Sequence, residues 1–257
     1  MRWLALTLLC LAPALTLAAD CPQPLRIGFI DDDASPYIRG RGSEFQAEPG
    51  STVRLTRQAL ELLGCPAELV RRPVRRLVAE TLHDELQVAM LMRADSPDRA
   101  ALGFPRRADG SVDPRLALGE SRVVLFVRRP PPGQALPVAN PARLSLGVIA
   151  GSPVEAAARR AGWHYQTATS RSSALAMLRG GRFEALVDVE GAIAPEELQR
   201  EPALRVLQPP LQRAFFHAAL SPALLQAQPQ FAQRFWAALC KLSRPSQPGL
   251  GPCPQSL

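Results

Sequence analysis

The chain has 257 residues, a net charge of +7 and an apolar content of 47%, enough for substantial cores in one large domain or two small lobes. Lys241 is its only lysine, the arginine pairs (Arg71-Arg72, Arg75-Arg76, Arg106-Arg107, Arg128-Arg129, Arg159-Arg160) are scattered, and aromatics for base stacking are few. That pattern argues against nucleic-acid binding and leaves a general attraction for small anions.

Residues 1–19 read as a secretory signal peptide. Arg2 supplies the positive start, residues 4–15 the apolar core, and Thr16-Leu17-Ala18-Ala19 a small-residue end, with cleavage after Ala18 or Ala19. Neither Cys10 nor Cys21 follows the small residue that a lipid anchor needs, and no later stretch is apolar enough to span a bilayer. The expected product is soluble, exported and monomeric, with no membrane anchor.

Four cysteines survive signal removal, Cys21, Cys65, Cys240 and Cys253. An even number in an exported chain points to disulfides, and three pairings are open. Cys21 precedes the first strand and Cys65 the second, so they can bridge if those strands are parallel neighbours; Cys253 would then tie the Pro/Gly-rich tail 246–257 to Cys240. The chain has no close Cys-x-x-Cys pair, and His83, His164 and His217 lie far apart, so neither a metal nor a cofactor is expected.

In chain order, 25–30 reads as a buried strand followed by the acidic loop Asp31-Asp32-Asp33 and Ser35-Pro36-Tyr37. Ser51 stands as the N-cap of a helix with Val53, Leu55, Ala59, Leu60, Leu62 and Leu63 on one face and Gly64 as C-cap. A second strand covers 67–71, a helix lies between Pro73 and Asp84, and 86–91 is a third strand. After it comes the polar loop Arg93-Ala94-Asp95-Ser96-Pro97-Asp98, with Arg99 opening a short helix. Strand–helix repeats of this kind build right-handed βαβ units and a parallel sheet. A strand at 121–128 leads into the proline cluster after Arg129, which marks a connection between lobes. A second α/β unit follows, with a strand at 144–149, Ser152 and Pro153 starting a helix over 154–161, a helix at 173–179 and a strand at 184–189. Strands at 204–207 and 214–220 and a helix at 230–241 complete the chain.

This order of pieces resembles the bacterial extracellular solute-binding proteins of family 3, the two-lobed periplasmic proteins of polar amino acid uptake. The likeness is carried by 25–30 with Asp33 and Pro36-Tyr37, by 86–91 with Ser96-Pro97-Asp98-Arg99, by Leu146-Gly147-Val148-Ile149-Ala150-Gly151-Ser152, and by Gly180-Gly181-Arg182-Phe183-Glu184-Ala185. The closing segments 217–221 and 231–242 are similar too, so the likeness covers nearly all the mature chain. It implies an α/β, two-lobed periplasmic-binding-protein type II fold, each lobe a mainly parallel sheet flanked by helices, with two crossover strands as the hinge. The lobes would be 20–122 with 212–245, and 123–211. The resemblance also implies a cleft in which Arg99 takes a carboxylate, with Ser96, Ser152, Asp188, Glu190, Tyr37 and Arg75 as further ligand-binding candidates. Ser152 serves equally well as a plain N-cap, and Arg75 as part of a solvated face.

The chain departs from the family at several of these places. The amine-binding aspartate falls at Val189, flanked by Asp188 and Glu190, and successive strand side chains alternate faces. Hydroxyls expected before Arg99 are Met92 and Ala94, and an aromatic lid is Ala34. The carboxylate anchor is therefore better kept than the amine anchor. The function expected from the resemblance is capture of a small carboxylate-bearing, amino-acid-like solute, anionic or zwitterionic, for an ABC permease or a sensor. The alternatives are a cyclohexadienyl-dehydratase-like enzyme on the same fold, for which no paired acid–base constellation is visible, and a ligand-free accessory protein.

Overall fold

The computed structural model describes residues 21–193, 198 and 203–254; the signal-peptide reading of 1–19 lies outside them. Three short strands, β1 (Arg26–Ile30), β2 (Glu68–Arg72) and β3 (Val88–Arg93), form a parallel unit with β1 in the middle. Helices α1 (Ser51–Leu63) and α2 (Val74–Leu82) connect them. The second unit holds β5 (Leu146–Ile149), α3 (Pro153–Arg160), β6 (Tyr165–Ala168), α4 (Arg171–Arg179) and β7 (Ala185–Val189), with β5 parallel to both β6 and β7.

Two long strands run through both units. The first half of β4 (Gly119–Arg128) pairs with β9 (Gln212–Leu220), and its second half pairs with β7 and the short β8 (Leu204–Val206). β9 in turn continues alongside β3. The result is one continuous sheet, β2-β1-β3-β9-β4-β7-β5-β6, whose two halves are two lobes joined by the crossover strands β4 and β9. This is the two-lobed periplasmic-binding-protein architecture. After β9, α5 (Pro222–Ala227) and α6 (Pro229–Ser243) return to the first lobe.

The central strands of each half-sheet are buried on both faces. In the first lobe Phe29 and Met90 pack against Val53 of α1 and Phe231, Phe235 and Leu239 of α6, while Ala89 and Met92 meet Leu77 and Phe104 on the opposite face. In the second, alternation along β4 sends Val124 and Phe126 toward α4 and Leu125 and Val127 toward α3, as a pleated strand requires. At about 25 cal/mol per Å² these double-faced cores supply most of the folding drive. Disulfides join Cys21 to Cys65, Cα atoms 5.4 Å apart, and Cys240 to Cys253, 6.0 Å apart. The first lies beside the starts of the paired parallel strands β1 and β2.

Several boundaries differ from the sequence reading. Residues 86–87 belong to the turn that ends α2, where Asp84 has φ +60° and the amides of Glu85 and Leu86 both donate to Glu80 O, so β3 begins at Val88 and takes in Arg93. Gly50, not Ser51, is the N-cap of α1. At φ +102° a Cβ there would stand 2.4 Å from the Tyr37 carbonyl oxygen, which leaves glycine as the residue that fits. Arg99 closes a 3-10 turn, Pro97–Arg99, rather than opening a helix. α4 starts two residues earlier than read, capped by Ser170, and both β6 and α5 are additions.

Candidate functional site

The parallel strands of each lobe all end at one edge, the edge at which open α/β sheets hold ligands. On the first lobe β1 leads into the loop 31–50. It is held from beneath by Arg71, whose guanidinium is buried and donates to five backbone carbonyl oxygens, those of Ile30, Asp32, Arg39, Gly40 and Glu44. Within the loop the Asp33 carboxylate accepts from Gly40 N at 2.8 Å and Ser35 Oγ at 3.1 Å, and the Gly40 bond chiefly holds its pKa below the ordinary value. Tyr37 is half-buried with its phenol 3.1–3.2 Å from where a Cβ on Gly119 would sit. Burial, and then the charge of Glu120, pushes its hydroxyl above the usual value. Tyr37 thus braces the first loop against the start of the crossover strand.

β3 leads into the segment that carries Arg99. Arg93 clamps Asp95 through Nε at 2.9 Å and Nη2 at 2.6 Å, and this pairing keeps the Asp95 pKa low. Ser96 Oγ donates to Asp98 at 2.7 Å, which lowers the Asp98 pKa. The Arg99 side chain is 17% exposed, and its Nε lies 3.5 Å from Asp98 Oδ2, too poorly aimed for a hydrogen bond. Nε is buried and has no hydrogen-bond partner among the described residues. A buried guanidinium N–H without an acceptor is costly unless something arrives to accept it.

On the second lobe, Ser152 Oγ accepts from Glu155 N at 3.1 Å while Glu155 accepts from Gly151 N at 2.7 Å, so the serine is a working N-cap of α3. Asp188 is buried at the end of β7. Its Oδ2 accepts from Arg171 Nε at 2.8 Å and its Oδ1 from Val189 N at 2.8 Å. Glu190 meets Arg122 Nε at 2.6 Å, and Glu120, in the crossover strand, is paired with Arg213. The structure therefore brings Ser96 and Arg99 into one cluster, and gathers Asp188 and Glu190 at the end of β7, each already matched to an arginine. Arg75 sits exposed in the first turn of α2, and it makes no hydrogen bond or ion pair among the described residues. None joins the loop 93–99 directly to Ser152, Asp188 or Glu190 either.

Arg71, Arg122 and Arg171 escape a reading of the sequence, because each looks like any other arginine in an arginine-rich chain. The one clue is that Arg71 falls inside a strand, directly after the apolar pair Leu69-Val70. Among the described residues no group of His, Cys, Asp and Glu could hold a metal ion, and no helix is long and apolar enough to cross a membrane. Beside the cluster a cavity of about 170 Å³ lies between Ala94, Val112, Phe215 and His217. His217 is buried and its Nε2 donates to Asp113 O at 3.1 Å; burial holds its pKa below the ordinary value, although Asp113 pulls the other way.

Fold and edge chemistry together define a two-lobed periplasmic-binding-protein structure, and solved structures of that architecture are similar throughout the chain. The unliganded open L-cystine solute receptor of Neisseria gonorrhoeae matches with 16% identity over 89% of this chain and 90% of that one, TM-score 0.59. An ancestral cationic amino acid solute-binding protein matches at 15% identity, 88% and 93% coverage and TM-score 0.53. The B. pertussis BvgS periplasmic domain matches at 17% identity over 88% of this chain and 43% of that one, TM-score 0.56. At these identities the likeness establishes the fold. No protein-family model matches the sequence, and no curated protein matches it.

Proposed function

We propose that this chain is a periplasmic solute-binding protein. It captures a small carboxylate-bearing, amino-acid-like solute between its lobes and presents it to an ABC permease or a membrane sensor. The observation that carries the reading is Arg99, 17% exposed in the turn that follows β3, whose buried Nε has no hydrogen-bond acceptor among the described residues and only a 3.5 Å ion pair with Asp98. A carboxylate meeting it gains charge-assisted hydrogen bonds, which strengthen as the second lobe closes and water leaves. The solute favours the closed form only by the difference in its affinity for the two states. The lobes are taken as 20–122 with 212–245, and 123–211, with 1–19 removed on export. Neighbours of this fold include both a solute receptor and a histidine kinase sensor domain, which supports either kind of partner.

The test is thermal unfolding of the mature, oxidised protein against amino acids, dicarboxylates and aromatic acids, with Arg99→Ala run alongside. A solute at a hundred times its Kd stabilises by about 2.7 kcal/mol, worth several degrees in Tm for a chain of this size. The reading expects an acid that shifts wild type and not the variant. An equal shift in both places the site elsewhere.

A further inference from the structure

Each carboxylate that the second lobe carries to the end of β7 is already engaged. Asp188 holds Arg171 and Glu190 holds Arg122. An ammonium group arriving there would have to take an acceptor from an arginine and leave that arginine unpaired.

Arg171 itself is differently placed. It is the first residue of α4, three positions beyond the end of β6, and its head reaches back to Asp188 at the end of the neighbouring strand system. Asp188 is buried while the Arg171 side chain is 46% exposed, so a fixed carboxylate anchors a guanidinium that solvent still reaches. The bond from Nε is the one side-chain hydrogen bond Arg171 makes among the described residues. Its two terminal nitrogens, the edge that suits a carboxylate bidentately, have no partner there. Asp188 thus serves to position a cation, where the end of a strand would otherwise offer a bare acid.

We infer that Arg171, held by Asp188, is an anion-binding residue of the second lobe, and that the solute carries two acidic groups, one for Arg99 and one for Arg171. The inference rests on the reading of Arg99 given above. The strand-end carboxylate with no partner among the described residues is Asp31, just beyond β1 on the first lobe, so any amine on the solute is received there and not by the second lobe.

Calorimetric titration with the diacids malonate to adipate, each against the monoacid of the same carbon number, tests this. The best diacid binds wild type at least about tenfold tighter than its monoacid, the worth of one charge-assisted contact. Arg171→Gln abolishes that ratio and leaves the monoacid affinity unchanged, and Arg171→Lys restores part of it. The double variant Arg171→Gln/Asp188→Asn, which leaves no bare buried carboxylate, gives the same loss and guards against a folding defect. Equal affinity for monoacid and diacid in wild type, or a ratio that survives Arg171→Gln, overturns the inference while Arg99-dependent binding leaves the proposed function standing. If no acid of either series binds in an Arg99-dependent way, both fall.

Discussion

Replacing Arg71 by methionine removes the side chain that holds the loop 31–50 in place. Arg71 is 2% exposed and has no carboxylate partner among the described residues. Its charge is satisfied by carbonyls alone: Gly40 O at 2.7 Å, Glu44 O at 3.0 Å and Ile30 O at 3.1 Å, with Asp32 O and Arg39 O at 3.3 and 3.5 Å. The Phe45 ring lies 5.9 Å from the guanidinium. Three short bonds from a charged donor, at about 1.5–3 kcal/mol each, give a gross loss of roughly 5–9 kcal/mol. Much of residues 39–46 is exposed, so freed carbonyls recover part of that from water, and methionine still fills the stem of the cavity. The net cost expected is about 3–4 kcal/mol, seen as a lower urea midpoint at unchanged slope. Amide exchange should show residues 39–46 losing protection before the β-sheet does. Arg71→Lys recovers only part, since an ammonium cannot span carbonyls arranged around a planar fork. A loss below about 1 kcal/mol, or exchange that quickens uniformly across the chain, would refute this account of the loop.

Two further outcomes follow from the same structure. Removing the Cys21–Cys65 disulfide, which closes a separation of 44 residues, should cost about 4 kcal/mol, and removing Cys240–Cys253, which closes 13, about 3 kcal/mol; urea midpoints of the paired Cys→Ser variants check the order. Burial lowers the folded-state pKa of His217 below its usual 6.5, so the unfolded chain takes up its proton first as pH falls. Stability from this group is intact above about pH 6.5 and declines below it toward the folded value. His217→Gln should flatten that part of the stability profile between pH 7.5 and 5.5, and an unchanged slope would exclude His217 as its source.

The parts of the fold legible in the sequence are those with unbroken apolar patterning. β1, α1 and α6 announce themselves because each buries a continuous stripe. β6 does not, since three of its four residues, Tyr165, Gln166 and Thr167, are not buried and it forms the sheet's outer edge. The shift at β3 reflects a helix-ending turn at Asp84 that takes up an apolar residue, Leu86, and so looks like strand. At the candidate site Arg99 is legible through the order of motifs around it. The pairing of Arg171 with Asp188 is not, because it joins residues 17 apart on different elements and depends on how α4 crosses the sheet. The same holds for Arg122 and Glu190, which meet only because β4 lies beside β7.

The central claim is that an acid is captured between the lobes through Arg99. Small-angle X-ray scattering of the mature protein, with and without the acid that gives the largest thermal shift, tests it most directly. The account predicts a smaller radius of gyration with the acid present, and no change for Arg99→Ala at the same concentration. A scattering curve unchanged by an acid that nonetheless stabilises both proteins would contradict it and move the binding site out of the cleft.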